Sequence, residues 1–320
     1  MIQQLLEIKG LRAYYRTLVG VVRAVDGVSL TIKRGEIFGI AGESGCGKST
    51  LAKATLRLLK SPGYIHEGSI LFEGRDLMSL NEENLRKLRW SQIAYIPQSS
   101  MNSLNPVMRI ENQIMDAILA HENWSKDKAR ERALQLIRMV GLPERVLRMY
   151  PHELSGGMKQ RCVIATAIAL SPKLIVADEP TTALDVVIQR GILQALREIK
   201  ETLHASIMLI THDMAVHAEI VDRLMVMYAG KVVELGDIHH IFKDPLHPYV
   251  KMLISAIPTI EERREIKGMP GRPPSLLNPP SGCRFYPRCP YAMKKCSQEE
   301  PKLKEVSPGH FVACHLYEGW

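Results

Sequence analysis

The stretch from Gly42 to Thr50, GESGCGKST, constrains the fold of this chain more than any other. It fits the pattern G-x-x-x-x-G-K-[ST]. EIFGIA before it has the pattern of a strand, and STLAKATLRLL after it is helical. In a strand–glycine turn–helix unit the backbone N–H groups curl around phosphate oxygens, and the helix N-terminus adds its positive end. Gly42, Ser44, Gly45, Cys46, Gly47, Lys48, Ser49 and Thr50 are therefore candidate nucleotide contacts. Lys48 would reach the β- and γ-phosphates, and Ser49 would place its hydroxyl on Mg²⁺. Cys46 reads as a small filler inside the loop.

The rest of the first 240 residues continues the alternation. LIVAD (174–178) and SIMLIT (206–211) are buried-strand patterns, and RLMVMYAGKVVELG (223–236) reads as a hairpin turning at Ala-Gly. IENQIMDAILAH, KARERALQLIRMVG and IQRGILQALREIKETL carry apolar residues at helical spacing. The expected fold class is α/β with a largely parallel sheet. LIVAD ends in Asp178, and Glu179 follows it. Acids at a strand's carboxyl end lie beside the phosphate loop in such sheets. Asp178 is the candidate to hold hydrated Mg²⁺, and Glu179 to orient and polarise an attacking water. His212, after the next strand, is a candidate for the same γ-phosphate.

Composition narrows the setting. MIQQLLEIKG lacks the basic region and apolar core of a secretory signal, and CVIATAIAL (162–170), the most apolar stretch, falls short of the ~20 residues of a bilayer span. The chain is expected to be cytosolic, with any membrane role supplied by a partner. Net charge is +8, and between Arg263 and Trp320 ten Lys/Arg oppose five Asp/Glu. This basic tail suits a solvated surface; nucleic acid or anionic lipid is the competing reading.

LSGGMKQR, Leu154 to Arg161, decides the family. With the phosphate loop and the acid pair in this order, the sequence resembles the ATP-binding subunits of ABC transporters over residues 5 to 235. The resemblance implies a P-loop NTPase core of ABC type over residues 1–240. It adds an antiparallel β subdomain and a helical subdomain at about residues 99–165. It assigns Gln98 to the loop that joins the metal site to the membrane subunits, with Ser49 and Asp178 as the other Mg²⁺ contacts. It assigns His212 to the switch loop and Asp185 to the loop linking paired sites. Tyr15, or else Tyr14, would stack on adenine. Ser155, Gly156 and Gly157 would bind the ATP held by a second ATPase subunit, identical or related, in a head-to-tail dimer. Glu179, His212 and Gln98 form the implied catalytic set.

The C-terminal 80 residues, 241–320, differ in composition. HPYVKMLISAIP, His247 to Pro258, resembles a segment of dipeptide, oligopeptide and nickel importer ATPases, and PGRPPSLLNPPSG has the pattern of an extended connector. Four of the six cysteines follow, Cys283, Cys289, Cys296 and Cys314, spaced C-x5-C-x6-C-x17-C. That spacing matches neither the short pairs of structural zinc sites nor bacterial ferredoxins and leaves the metal open. Zn²⁺, an iron–sulfur cluster and unligated thiols all remain readings, with His310 and His315 able to replace a thiolate. The resemblance favours a [4Fe–4S] cluster. A short proline-rich tail poor in apolar residues is then expected to be held together by its metal centre.

The implied function is the ATPase motor of a peptide importer. It would be peripheral on the cytoplasmic face of the membrane, beneath two permease subunits fed by an extracellular substrate-binding protein. Nickel uptake is the nearest alternative. A soluble ABC ATPase acting on DNA or ribosomes is a more distant one, since neither a long coiled coil nor a second fused ATPase domain is visible. An iron–sulfur sensor with an ATPase core is the third.

Overall fold

A computed structural model describes residues 3–98, 100–257 and 269–318. Ser99 at the opening of the expected helical subdomain, Pro258 at the end of the His247–Pro258 segment and the first charged residues of the tail lie outside the described residues. The chain divides into two compact units, one of Met1–Leu5, Lys33–Glu36 and Ser79–Ile210, the other of Leu6–Ile32, Ile37–Met78 and Thr211–Trp320.

The first unit contains three parallel strands, Ile93–Ile96, Leu174–Asp178 and Ser206–Ile210, paired in that order with Ile93 opposite Leu174 and Leu174 opposite Ser206. Every residue of the last two is buried, as an uninterrupted apolar run demands. Helices Ile110–Leu119, Lys126–Met139 and Gly156–Ala167 pack on one another. Their ends follow local chemistry. Ser125 accepts a hydrogen bond from Lys128 N at 3.3 Å, and beyond Met139 the chain turns at Gly141 with φ +69°.

The second unit carries a four-stranded sheet, in the order Gly20–Lys33, Gln4–Thr17, Gly63–Phe72 and Arg75–Asp76. Its central pair is antiparallel, with Leu6 opposite Phe72. Strand Ile37–Ala41 runs parallel to Arg223–Tyr228, which turns back into Lys231–Asp237. The turn residues Ala229 (φ +47°) and Gly230 (φ +86°) are both left-handed, the conformation that matches strand twist in a two-residue hairpin. The helix after the phosphate loop is shorter than its sequence pattern, running only from Lys48 to Thr55.

The C-terminal extension departs most from expectation. Among the described residues no three His, Cys, Asp or Glu side chains form a group able to hold a metal ion. The extension is fastened to the sheet instead. His310–Val312 pairs antiparallel with Lys231–Asp237, and Lys304–Ser307 pairs with His310–Val312. Ala313 N donates to Val233 O at 2.9 Å, and the Tyr317 hydroxyl donates to Leu246 O at 3.0 Å. Arg284 pairs with Asp26. The expected metal centre is not seen among the described residues; short strands and arginines tie the tail down, and neither gives a strong periodic signal in sequence.

His247 caps helix Pro248–Ser255, its Nδ1 accepting from Tyr249 N at 3.1 Å. Full burial lowers its pKa from 6.5 to about 3. Between these values the unfolded chain binds a proton that the folded chain refuses. This contribution to stability is complete above pH 6.5 and is lost as pH falls towards 3, at about 1.4 kcal/mol per pH unit at most. His247→Asn keeps a capping acceptor without the titration. Its melting temperature should fall less than that of the wild type between pH 6.5 and 4; parallel curves would reject the assignment.

Candidate functional site

Backbone geometry explains the glycines of the phosphate loop. A Cβ on Gly42 (φ +146°) would stand 2.2 Å from Met227 O, and one on Gly47 (φ +107°) 2.0 Å from Ala24 O. No side chain fits at either place, so the loop's N–H groups keep a close approach to whatever it binds. Lys48 is buried, and its Nζ donates to Gly42 O at 2.7 Å and Glu43 O at 3.1 Å. Those two carbonyls fix the ammonium within the loop. Cys46 is buried, and desolvation raises its thiol pKa, in keeping with an inert filler. The Tyr15 hydroxyl lies 3.2 Å from Thr50 Oγ1, while the ring stays half-buried. Tyr14 is buried, donates to Asp26 at 2.7 Å and has its pKa pushed up to about 12, by burial first and then by Asp26. His212 is exposed in the same unit.

The other unit carries the acids. Asp178 is wholly buried at the end of its strand and accepts a 3.0 Å hydrogen bond from the Tyr95 hydroxyl. Glu179 follows with φ +52°, a left-handed conformation unusual for a residue with a side chain. Its N–H donates to Ile210 O at 2.8 Å, and its Oε2 accepts from the Thr182 hydroxyl at 2.7 Å. Such strain persists where surrounding bonds over-determine it, and it turns the carboxylate out of the strand. Asp185 is exposed and caps helix Val186–Leu203, accepting from Ile188 N at 2.9 Å. Gln98 is exposed just past strand Ile93–Ile96. Ser155 caps the signature helix, which begins at Gly156. The sequence patterns do not single out Tyr95 and Thr182; a tyrosine three residues before Gln98 and a threonine three residues after Glu179 are the only sequence traces they leave.

The tail cysteines carry a consistent pattern. Cys283, Cys289 and Cys314 each accept a hydrogen bond from the backbone two residues on, at Phe285, Tyr291 and Leu316, and the N–H of Met293 points to Cys296 Sγ at 3.5 Å. Burial, with the charge of the neighbouring cysteines adding to it, pushes the Cys283 and Cys314 thiols up to about 11. The four sulfurs are thus supplied with backbone donors, yet among the described residues no three such side chains form a group able to hold a metal ion. His310 and His315 are not spare ligands. His310 Nε2 lies 2.8 Å from buried Glu234, and His315 is held between Glu318 and Glu299 O.

Comparison with known proteins follows the same line. Residues 25–182 match the ABC transporter family model, and residues 233–296 match the oligopeptide/dipeptide transporter C-terminal region. The dipeptide transport ATP-binding protein DppD of Caldanaerobacter subterraneus subsp. tengcongensis is 46% identical, over 98% of this chain and 97% of its own. The chain belongs to the ABC transporter family of ATP-binding proteins. The oligopeptide transport ATP-binding protein OppD of Bacillus subtilis is 45% identical over 98% of this ABC protein and 89% of its own length. OppD of Escherichia coli is also 45% identical, over 97% and 92%. Among solved structures, the ATP-binding cassette MJ0796, dimeric in a post-hydrolysis state with ADP and Pi, superposes with a TM-score of 0.66 at 29% identity. It covers 73% of this ABC protein and 99% of its own chain. The ABC cassette fold and the ATPase activity of the family follow from these likenesses. Among the described residues no helix is long and apolar enough to cross a membrane.

Proposed function

We propose that the chain is the ATP-hydrolysing motor of an importer for dipeptides or oligopeptides. One observation carries this reading: ATP-binding proteins of peptide transport align with it nearly end to end, through the C-terminal region as well as the cassette. Residues 1–240 are then the nucleotide-binding domain, with a helical subdomain at about 99–165, and residues 241–320 the extension. The chain works at the cytoplasmic face of the membrane, docked beneath two permease subunits that receive cargo from an extracellular binding protein. Pull-down from native membranes should recover these apolar permeases. Recovery of nucleic acid without permeases would replace the reading with a soluble ABC ATPase, and nickel-stimulated rather than peptide-stimulated turnover would change the cargo.

In this reading the N–H groups of Gly42–Thr50 and the Lys48 ammonium hold the β- and γ-phosphates. Ser49, Gln98 and Asp178 would hold Mg²⁺, which would supply charge neutralisation on the phosphates. Glu179 accepts the proton of the attacking water, and His212 faces the γ-phosphate. Half-exposed Tyr15, with its hydroxyl beside Thr50, supports it as the adenine-stacking ring over buried Tyr14. A second ATPase subunit contributes its own signature, so that each nucleotide is enclosed by two chains and the pair closes on binding and opens after hydrolysis. Asp185 links the two sites.

Ser155, Gly156 and Gly157 serve the partner's nucleotide. A Cβ on Gly157 would stand 2.5 Å from Ile188 Cγ2, a stiff β-branched neighbour. Gly157→Ala should therefore tilt the helix start and slow turnover roughly ten- to a hundredfold, the scale expected of ångström misplacement. Nucleotide binding to the isolated chain should persist. Full turnover in the variant would remove the signature from catalysis.

We also propose that Cys283, Cys289, Cys296 and Cys314 ligate a [4Fe–4S] cluster. The backbone donors at the sulfurs support it, because N–H groups stabilise thiolates, and a multi-iron cluster spaces its ligands more widely than one ion does. Iron and acid-labile sulfide in the purified protein would bear this out, and stoichiometric zinc without iron would overturn it.

A further inference from the structure

The segment CRFYPRC, Cys283 to Cys289, reaches back to the phosphate loop through Arg288. The Arg288 side chain is only 5% exposed. Its two terminal nitrogens clasp the Glu43 carboxylate, NH1 to Oε2 at 2.9 Å and NH2 to Oε1 at 3.1 Å. Nε donates to Pro270 O at 2.8 Å and Nη1 also donates to the Tyr228 hydroxyl at 3.2 Å, so the fork is held on three sides. Glu43 is the second residue of GESGCGKST and its sole acid. Its N–H donates to the Tyr249 hydroxyl at 2.9 Å, and its carbonyl accepts from Lys48 Nζ at 3.1 Å. Phe285, from the same cysteine segment, packs against the Tyr249 ring at a centroid distance of 5.4 Å. Glu43 is therefore gripped at carboxylate and amide by two groups of the extension, Arg288 and Tyr249, while its carbonyl holds the phosphate-binding lysine.

Two physical consequences follow from this arrangement. A carboxylate inside a loop that receives a triphosphate repels its ligand unless a cation cancels it. A bidentate guanidinium does so and also fixes the plane of the carboxylate, which a lysine cannot do as well. The geometry assigns Arg288 a positioning role: through Glu43 it neutralises and shapes the phosphate loop for MgATP. This rests on the ATPase reading above and names a residue of the extension that conditions nucleotide affinity without touching nucleotide.

The test measures Kd for MgATP, kcat and KM on the full-length chain carrying Arg288→Gln, Arg288→Lys, Glu43→Gln and the double substitution E43Q/R288Q. Loss of a charge-assisted hydrogen-bonded pair scales to roughly a tenfold effect. Arg288→Gln should accordingly raise Kd and KM for MgATP about tenfold, with kcat at saturation changed less. Arg288→Lys should recover part of the affinity. The double substitution should bind MgATP more tightly than Arg288→Gln alone, since the carboxylate left uncompensated is gone; a merely structural arginine gives no such rescue. Should Arg288→Gln prove too unstable to assay, Arg288→Lys carries the test, and wild-type Kd in a folded Arg288→Lys protein overturns the proposal. Unchanged Kd in Arg288→Gln, or a double substitution no better than the single, overturns it as well. Failure of the unsubstituted chain to bind MgATP would bring down the ATPase reading and this inference together, whereas wild-type binding with an unaffected Arg288→Gln brings down the inference alone.

Discussion

Glu179→Gln should leave MgATP binding intact and reduce hydrolysis by about two to four orders of magnitude, the range that a positioned proton acceptor contributes. The amide is nearly isosteric with the carboxylate. The Thr182 hydroxyl can still donate to the side-chain oxygen, and the backbone bond to Ile210 O is untouched. What disappears is the ability to take a proton from water. With the grip on nucleotide preserved and the exit step blocked, two chains should accumulate around ATP. Size-exclusion chromatography with excess MgATP should then show a dimer that is absent with ADP. A variant that turns over ATP at the normal rate would displace Glu179 from the catalytic role, and one that hydrolyses slowly yet stays monomeric with its partners present would remove the two-chain site.

Lys48→Ala should fail one step earlier. The ammonium is already fixed by Gly42 O and Glu43 O, so little conformational entropy is spent in presenting it to phosphate. Charged hydrogen bonds of this kind contribute about 1.5–3 kcal/mol each, so loss of the lysine should weaken MgATP binding by roughly a hundredfold. Turnover should fall at least as far, and no nucleotide-dependent dimer should form. Titration of a fluorescent ATP analogue separates the two variants: Glu179→Gln saturates, and Lys48→Ala does not in the same range. Equal affinity in both would show that backbone N–H groups alone hold the phosphates.

The sequence made these residues readable because each lies at a junction that strand and helix periodicity already locate. Strand Leu174–Asp178 falls where the apolar run ends, and Asp185 and Ser155 each sit one residue before their helices, where a side-chain oxygen caps free N–H groups. Tyr95 and Thr182 were harder, since their importance lies in a hydrogen bond to an acid that a pattern of apolar residues does not encode. The extension was hardest. Its strands, Lys304–Ser307 and His310–Val312, are four and three residues long, too short for alternation to register. Its fastening relies on pairs such as Arg284 with Asp26, 258 positions apart. Long-range ion pairs leave no local mark, so the stitching of the tail to residues 76 to 258 positions earlier cannot be read from local patterns.

That stitching also bears on what a shortened chain would suffer. Strand Lys231–Asp237 hydrogen-bonds on one side to Arg223–Tyr228 and on the other to His310–Val312. Without the final strands, its second flank becomes a naked row of amides and carbonyls beside apolar Val233 and Leu235, a template for chain-to-chain accretion. Strands Lys304–Ser307 and His310–Val312 thus act as a selvedge, finishing a border that would otherwise ravel into aggregates.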